Sequence, residues 1–149
     1  MDGSWNNGFA VVRPPGHHSG VKQTLNGFCI FNGVAIGARY LQHKYGKKKI
    51  AILDWDVHRG DGTHHLFETD PNVLFISIHR YDNGTFYPAG EEGNFYNCGK
   101  KEGEGFKINI PLNHYDINYK KYECQAPGDN EYVYIYNRIV EPILREFSP

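Results

Sequence analysis

The chain has 149 residues, 40% of them hydrophobic and 15% aromatic, and this composition predicts one globular domain and excludes wholesale disorder. Its formal net charge of −1 gives no general attraction to nucleic acid or anionic lipid, so we expect no direct nucleic acid or membrane partner. No apolar run approaches the ~18 residues of a membrane-spanning helix, and the first residues lack the apolar core of a signal peptide.

The cysteines are odd in number, widely spaced and without a CxxC pair: Cys29, Cys98 and Cys124. This pattern predicts neither a disulfide framework nor a cysteine-ligated zinc finger. It fits a reducing compartment, and we expect the protein in the nucleus, the cytoplasm or both.

Short apolar runs alternate with helical patterns along the first half of the chain. Residues 9–12 predict a short strand that leads into a Pro-Pro-Gly turn, and residues 30–45 predict a helix that Gly46 ends. The near-continuous apolar run at residues 49–54 predicts a strand that is covered on both faces.

The second half predicts a helix, two strands and a final helix, at residues 63–68, 73–78, 106–112 and 131–147 respectively. Glycine-rich residues 80–105 predict one long functional loop. Asp129 is placed to cap the last helix, and Pro142 predicts a kink within it. The alternation predicts an α/β fold with an open parallel sheet flanked by helices, in which ligands bind at the carboxyl ends of the strands.

Asp54, Asp56 and His58 alternate at the end of the first long strand. Side chains two residues apart share one face of a strand, so these three are predicted to point the same way. Two carboxylates and an imidazole make a divalent-metal site, with zinc the natural occupant. The alternative is a strand end with a capping aspartate and a surface histidine.

His17 and His18 follow a Pro-Pro-Gly turn that stiffens the chain. Beside a metal, a neutral imidazole accepts a proton from water and an imidazolium donates one to a leaving amine. The alternative is a pair of loop histidines, one stacked on a proline and one in solvent. Together with the metal motif, the pair indicates metal-assisted hydrolysis.

Four segments, RPPGHHSG, GFCIFNGVAIGAR, AILDWDVHRGDGT and FISIHRYDNGTFYPAGEEG, resemble in order and spacing the zinc-dependent histone deacetylases. They look closest to class II and its tubulin-deacetylase branch. The resemblance implies an arginase/deacetylase-like three-layer fold and hydrolysis of acetyl-lysine amides with Zn²⁺. Because the family's catalytic domain is more than twice this length, residues 1–149 are expected to be a truncated part of it.

The resemblance implies a role for each residue of the two motifs. Asp56 and His58 are the implied zinc ligands. The implied catalytic residues are two histidine–carboxylate pairs, His17 with Asp54 and His18 with Asp61. Class II enzymes usually carry Asn where Asp61 stands, and a carboxylate there suits a general-acid or electrostatic role of its histidine.

Three residues match the family's substrate tunnel. Phe28 and Tyr87 match its two aromatic walls, which bury the neutral stem of acetyl-lysine, and Gly27 matches the glycine whose carbonyl accepts the substrate N–H. For either aromatic residue alone, core packing is the alternative. The implied partners are acetylated lysines of histones or tubulin, with acetylated polyamines left open and co-regulator proteins as further partners.

The resemblance also implies structural cations. Asp54 and Ser77 match ligands of a potassium ion under the zinc site. A second cation site would use oxygens of Phe67, Asp70, Val73 and Phe106. Arg59 is expected to point away from the zinc, and His79 is expected to have a structural role. His64 and His65 are expected to be surface residues or core residues with satisfied hydrogen bonds.

Two other classes of function stay open. One is a binuclear metallohydrolase of the same fold, such as an arginase, which would need bridging carboxylates where Val57 and Arg59 stand. The other is a non-catalytic fragment or pseudoenzyme that acts as a binding module. The family's third zinc ligand and oxyanion-binding tyrosine are expected beyond Pro149, so we expect the isolated chain to bind zinc weakly and to show no turnover.

Overall fold

Three parallel strands form the centre of the computed structural model, which describes residues 7–20, 25–113, 115–116, 121–122 and 126–149. The strands are β1 (Ile50–Asp54), β2 (Val73–Arg80) and β3 (Lys107–Leu112), in the order β1-β2-β3. Ile50 pairs with Val73 and Phe75 pairs with Lys107. The carboxyl ends of all three strands therefore lie at one edge of the sheet, as the sequence predicts.

Helices cover both faces of this sheet and give it three layers. They are α1 (Gly33–Tyr45), α2 (Asp61–Phe67), α3 (Asp129–Ile135) and α4 (Glu141–Phe147). One apolar cluster joins α1 and α2 to the sheet through Ala35, Ala38, Phe67 and Val73. The other joins the C-terminal helices to the opposite face through Leu74, Ile76, Ile78, Ile135 and Val140. The alternation of β2 side chains between the two clusters confirms the predicted α/β class.

β2 is the buried strand, and β1 is not covered as completely as predicted. Every residue of β2 except Arg80 is buried, whereas each residue of β1 is only partly buried. The reason is position: among the described residues β1 pairs with β2 alone, so one side of it lacks a neighbouring strand.

The first helix follows its sequence signals. The side chain of Asn32 accepts a hydrogen bond from the Ala35 N–H at 3.0 Å, which caps the helix start. Gly46 ends the helix in the left-handed region at φ 61°. Asn32 also donates to the Thr63 hydroxyl at 2.9 Å and to the Ser19 carbonyl at 3.2 Å, which fastens α1 to α2 and to the histidine loop.

Two predictions about the ends of the chain are wrong in detail. Residues 9–12 form no strand, and Phe9 is 94% exposed, because no described strand lies beside them. The last helix begins after Gly128 rather than after Asp129, and Glu131 accepts the Gly128 N–H at 2.8 Å. The kink predicted at Pro142 takes the form of a π-helical turn, Tyr136–Val140, directly before α4.

Pro142 explains this π-helical turn. Proline has no N–H to donate, and in a regular α-helix its ring would clash with the carbonyl four residues earlier.

The predicted long loop carries three short 3₁₀ turns, Asp82–Gly84, Glu91–Gly93 and Lys101–Gly103. Asn109 of β3 holds it by donating to the carbonyls of Glu92, Asn94 and Asn97 at 2.9–3.2 Å. Two further short strands, β4 (Tyr115–Asp116) and β5 (Lys121–Tyr122), pair antiparallel. Cys124 lies outside the described residues. Among the helices that the structure describes, none is long and apolar enough to cross a membrane.

Candidate active site

His17 and Asp54 form the first pair of the site. His17 Nδ1 donates to Asp54 Oδ2 at 2.8 Å, which joins the histidine loop to the last residue of β1. The His17 carbonyl accepts the Thr63 N–H at 3.1 Å and so anchors the same loop to α2. A side chain at Gly60 would overlap the Asp54 carboxylate and force it to shift.

His18 and Asp61 form the second pair. His18 Nδ1 donates to Asp61 Oδ1 at 2.6 Å, and both residues are buried. Asp61 is the first residue of α2. The position of α2 and the histidine loop anchored to it therefore determine the distance between His18 and Asp61. The two histidine rings lie 4.1 Å apart between centroids. The hydrogen bonds predicted for both histidines are therefore present.

Asp56 and His58 lie beyond the end of β1, in a bend rather than in the extended strand that the sequence predicts. Side-chain hydrogen bonds hold the bend: Asp54 Oδ1 accepts the Asp56 N–H at 3.1 Å, and Asp56 Oδ1 accepts the His58 N–H at 2.8 Å. His58 Nδ1 lies 3.0 Å from Asp56 Oδ1. Local turns, not strand alternation, bring these side chains together.

The carboxylates and the histidines shift each other's protonation. Burial lowers the pKa of His17. The hydrogen bond and charge of Asp54, with the charges of Asp56 and Asp61, raise that pKa by more than burial lowers it, so the net shift is upward. Burial raises the pKa of Asp56, but the His58 N–H and the charges of His17 and His58 outweigh it, and the net shift is downward. Both net shifts have the direction expected when opposite charges lie close together.

Tyr87 packs edge-on against both sides of the site. Its ring centroid lies 5.0 Å from that of His18 and 5.6 Å from that of His58. Phe86 stacks on His58 at 5.2 Å with an interplanar angle of 9°, and the Arg80 guanidinium lies 4.2 Å from its centroid. The sequence did not predict that Phe86 contacts the site, and its position next to Tyr87 was the one indication of that contact.

Gly27 and Phe28 occupy a tight turn between Asn26 and Cys29, and both have positive φ. The turn rests on the site because the His18 N–H donates to Cys29 Sγ at 3.4 Å. A side chain at Gly27 would overlap the His18 ring. Phe28 is 91% exposed, so the structure places it on a surface turn rather than in the apolar core.

Ser77 lies beside Asp54, on the neighbouring strand, and is fully buried. Its hydroxyl lies 2.9 Å from His79 Nδ1, and His79 Nε2 lies 3.0 Å from the Gly93 carbonyl. Burial lowers the pKa of His79 to about 4, so the ring is neutral. A carbonyl only accepts, so Nε2 carries the proton and Ser77 donates to Nδ1. This agrees with a structural role for His79.

Two of three further residues near the site, Arg59, His64 and His65, are buried. Arg59 is buried, and His65 is exposed as expected. His64 is also buried, and burial lowers its pKa to about 4, yet its Nδ1 has no hydrogen-bond partner among the described residues. The expectation of a surface or fully satisfied His64 is therefore wrong.

Zinc requires a complete set of ligands, commonly three from the protein at a catalytic site. Asp56 and His58 are of the right chemical type and lie side by side at the carboxyl end of the sheet. In the described part of the chain, however, no group of three or more His, Cys, Asp or Glu side chains could hold a metal ion. The described residues therefore do not form a complete zinc site.

The chain is similar to known proteins along nearly its whole length. The family model for the histone deacetylase domain matches residues 1–149. Histone deacetylase 6 of Caenorhabditis elegans is 42% identical over 99% of this chain, which covers 14% of that protein. Histone deacetylase clr3 of Schizosaccharomyces pombe is 43% identical over 100% of this chain, which covers 20% of that protein. Polyamine deacetylase HDAC10 of Rattus norvegicus is 42% identical over 100% of this chain, which covers 24% of that protein.

A solved structure gives the same result for the fold. The crystal structure of the HDA15 HD domain superposes with a TM-score of 0.80 and 41% identity, over 93% of this chain and 36% of that one. The chain thus spans a minor part of the relatives that it matches. With the family model matching along its whole length, the chain belongs to the histone deacetylase domain family.

Proposed function

We propose that this chain is part of a zinc-dependent protein lysine deacetylase of class II, and that residues 1–149 form the N-terminal to middle part of its catalytic domain. One observation carries the proposal: two histidine–carboxylate pairs, with Nδ1 to oxygen distances of 2.8 and 2.6 Å, stand beside Asp56 and His58 at the carboxyl end of a parallel sheet. That edge is where α/β proteins bind ligands.

The histidine pairs manage protons in this proposal. Because His17 Nδ1 donates to Asp54, its Nε2 is the nitrogen that faces the site, 3.9 Å from Asp56 Oδ1. Such a ring can take a proton from an attacking water. His18, which hydrogen-bonds to Asp61, would donate a proton to the departing lysine amine.

Asp56 and His58 would be two of the zinc ligands, and a third comes from outside the described residues. Zinc, when bound, polarises the amide carbonyl and makes water more acidic.

Acetyl-lysine is the proposed substrate group, in histones or tubulin. Tyr87 lies against both His18 and His58, where it would flank the neutral stem of the side chain. Phe28 and the carbonyl of Gly27 are the proposed second wall and amide acceptor. Among the relatives, one is named a polyamine deacetylase, so acetylated polyamines belong in the same substrate panel. We propose action in the nucleus or cytoplasm, with co-regulator proteins as partners.

Potassium is a proposed second cofactor, at Asp54 and Ser77. Because Ser77 donates its proton to His79, its hydroxyl oxygen can use its lone pairs to bind a cation. Asp54 would contribute its charge from the adjacent strand position.

A non-catalytic binding module is the second candidate function, and the incomplete zinc ligand set of the described residues favours it. Purified chain of 149 residues, and a longer polypeptide with the remainder of the domain, are assayed on acetyl-lysine peptides and an acetylated polyamine, with and without zinc. We expect zinc-dependent turnover from the longer polypeptide and none above background from the chain alone. No turnover from either would support the binding module, and turnover by the chain alone would refute the assignment as a partial domain.

A further inference from the structure

Lys107, the first residue of β3, is a lysine with 0% exposure. Its Nζ donates to the backbone carbonyls of Asp70 at 3.0 Å, Val73 at 2.7 Å and Phe106 at 3.2 Å. An ammonium group has three N–H donors, so all of its hydrogen-bonding capacity is used. These three carbonyl oxygens are called the carbonyl cage below.

Among the described residues, Lys107 Nζ donates to backbone carbonyls and not to a carboxylate. The charge of Asp70 raises the pKa of Lys107, but the Asp70 side chain accepts its hydrogen bonds from Arg39 Nη1 at 2.6 Å and from Gln42 Nε2 at 3.0 Å. A buried charge is costly unless polar groups compensate it, and the carbonyl cage supplies the hydrogen bonds that stabilise this one. Burial lowers the pKa of Lys107 to about 8, and the group still carries its charge at neutral pH.

The carbonyl cage joins three separate segments. Asp70 lies in the turn after α2, Val73 begins β2, and Phe106 precedes β3. Converging backbone carbonyls are also how proteins bind potassium, because each oxygen replaces part of the hydration shell of the ion. An ammonium group and a potassium ion are similar in size and equal in charge.

We propose that the Lys107 ammonium takes the place of a bound monovalent cation, so that the carbonyl cage needs no potassium or sodium ion in this protein. The residues thus do not fit the second cation site expected from the sequence. The fourth oxygen expected there, the Phe67 carbonyl, accepts the Asp70 N–H at 2.9 Å. The Lys107 ammonium thus connects the turn between α2 and β2 to the start of β3 through its hydrogen bonds.

The proposal is tested by asking whether added potassium restores the thermal stability that is lost when the Lys107 ammonium is removed. Lys107→Ala removes the ammonium and leaves room for an ion, whereas Lys107→Met removes the charge but fills the space. Thermal unfolding of wild type and both variants is measured in potassium chloride and in N-methylglucamine chloride at equal ionic strength. Lys49→Ala, a change of an exposed lysine in the same part of the fold, is the matched control.

We expect Lys107→Ala to melt at least about 5 °C below wild type in N-methylglucamine and to recover saturably with potassium. Lys107→Met should be destabilised without recovery, and Lys49→Ala should follow wild type. The potassium response of wild type is subtracted, because the proposed site at Asp54 and Ser77 is common to all variants. Unchanged stability of Lys107→Ala, or a loss that potassium does not reduce, would overturn the proposal.

Reductive methylation of the folded wild type gives a second measurement, which does not require that a variant folds. Lys107 should be protected while Lys49 is modified, as read by mass spectrometry after proteolysis. Equal modification of the two lysines would show that the Lys107 ammonium is free, contrary to the proposal. Neither measurement uses deacetylase activity, so failure here is distinct from failure of the proposed function.

Discussion

His17 Nδ1 and Asp54 Oδ2 meet at 2.8 Å although 37 positions separate the two residues in sequence. The histidine belongs to a loop before α1, and the aspartate ends β1. This contact fixes the ring and, with the neighbouring carboxylates, raises the pKa of His17 despite its burial. The protonation of the site therefore depends on a carboxylate from the sheet.

Asp54→Asn should lower the pKa of His17, because an amide removes the negative charge that favours the imidazolium. NMR titration of the histidine ring in metal-free protein measures the shift. In an active polypeptide, turnover should fall about 10- to 100-fold, as for the loss of an orienting partner. Glu141→Gln, which breaks a surface ion pair with Arg145, should change neither value. An unchanged His17 titration in Asp54→Asn would contradict this account.

Gly60→Ala should disturb the site through sterics alone. The added methyl group would overlap the Asp54 carboxylate and approach the Phe75 ring, so Asp54 would have to move away from His17. We expect a loss of about 1–3 kcal/mol in the free energy of unfolding, measured by urea titration. Gly37→Ala is the matched control, because open space surrounds that helical position, and it should be neutral or stabilising by up to about 1 kcal/mol. Equal effects of the two changes would refute the steric argument.

Tyr87→Phe should keep the edge contacts to His18 and His58 and so keep kcat/KM within about threefold of wild type. Tyr87→Ala removes the ring, and kcat/KM for an acetyl-lysine peptide should fall at least about fivefold, since an aromatic contact contributes on the order of 1 kcal/mol. The comparison separates the ring from the hydroxyl. A large loss in Tyr87→Phe would assign a role to the hydroxyl instead.

Stability should fall as the pH drops from about 6.5 towards 4. Burial lowers the pKa of both His64 and His79 to about 4 in the folded state, whereas an unfolded histidine titrates near its ordinary value of 6.5. In that window the unfolded chain binds more protons, so lowering the pH favours unfolding, by on the order of 2–3 kcal/mol per histidine.

Urea unfolding at several pH values measures this slope for wild type and for His64→Phe, which cannot titrate. The variant should show a shallower loss of stability below pH 6.5. His65→Gln, at an exposed neighbouring position, should retain the wild-type slope. If His64→Phe and wild type lose stability in parallel, His64 is not the neutral buried group described above.

The sequence by itself predicted the local structure well. Apolar runs marked β1 and β2, and Gly46 marked the end of α1, because strands and helix ends depend on signals within a few residues. The resemblance to a family supplied the pairing of His17 with Asp54, which no local pattern contains. Residues 9–12 show the limit of local reasoning, since an apolar run becomes a strand only beside a partner strand.

Only the tertiary structure decided the surroundings of the site. It showed that bends hold Asp56 and His58, that Phe86 stacks on His58, and that His64 is buried. It also placed the Lys107 ammonium among backbone carbonyls. Every residue carries a carbonyl oxygen, so a site built from carbonyls leaves no mark in the sequence, and the packing of distant segments alone determines where such oxygens converge.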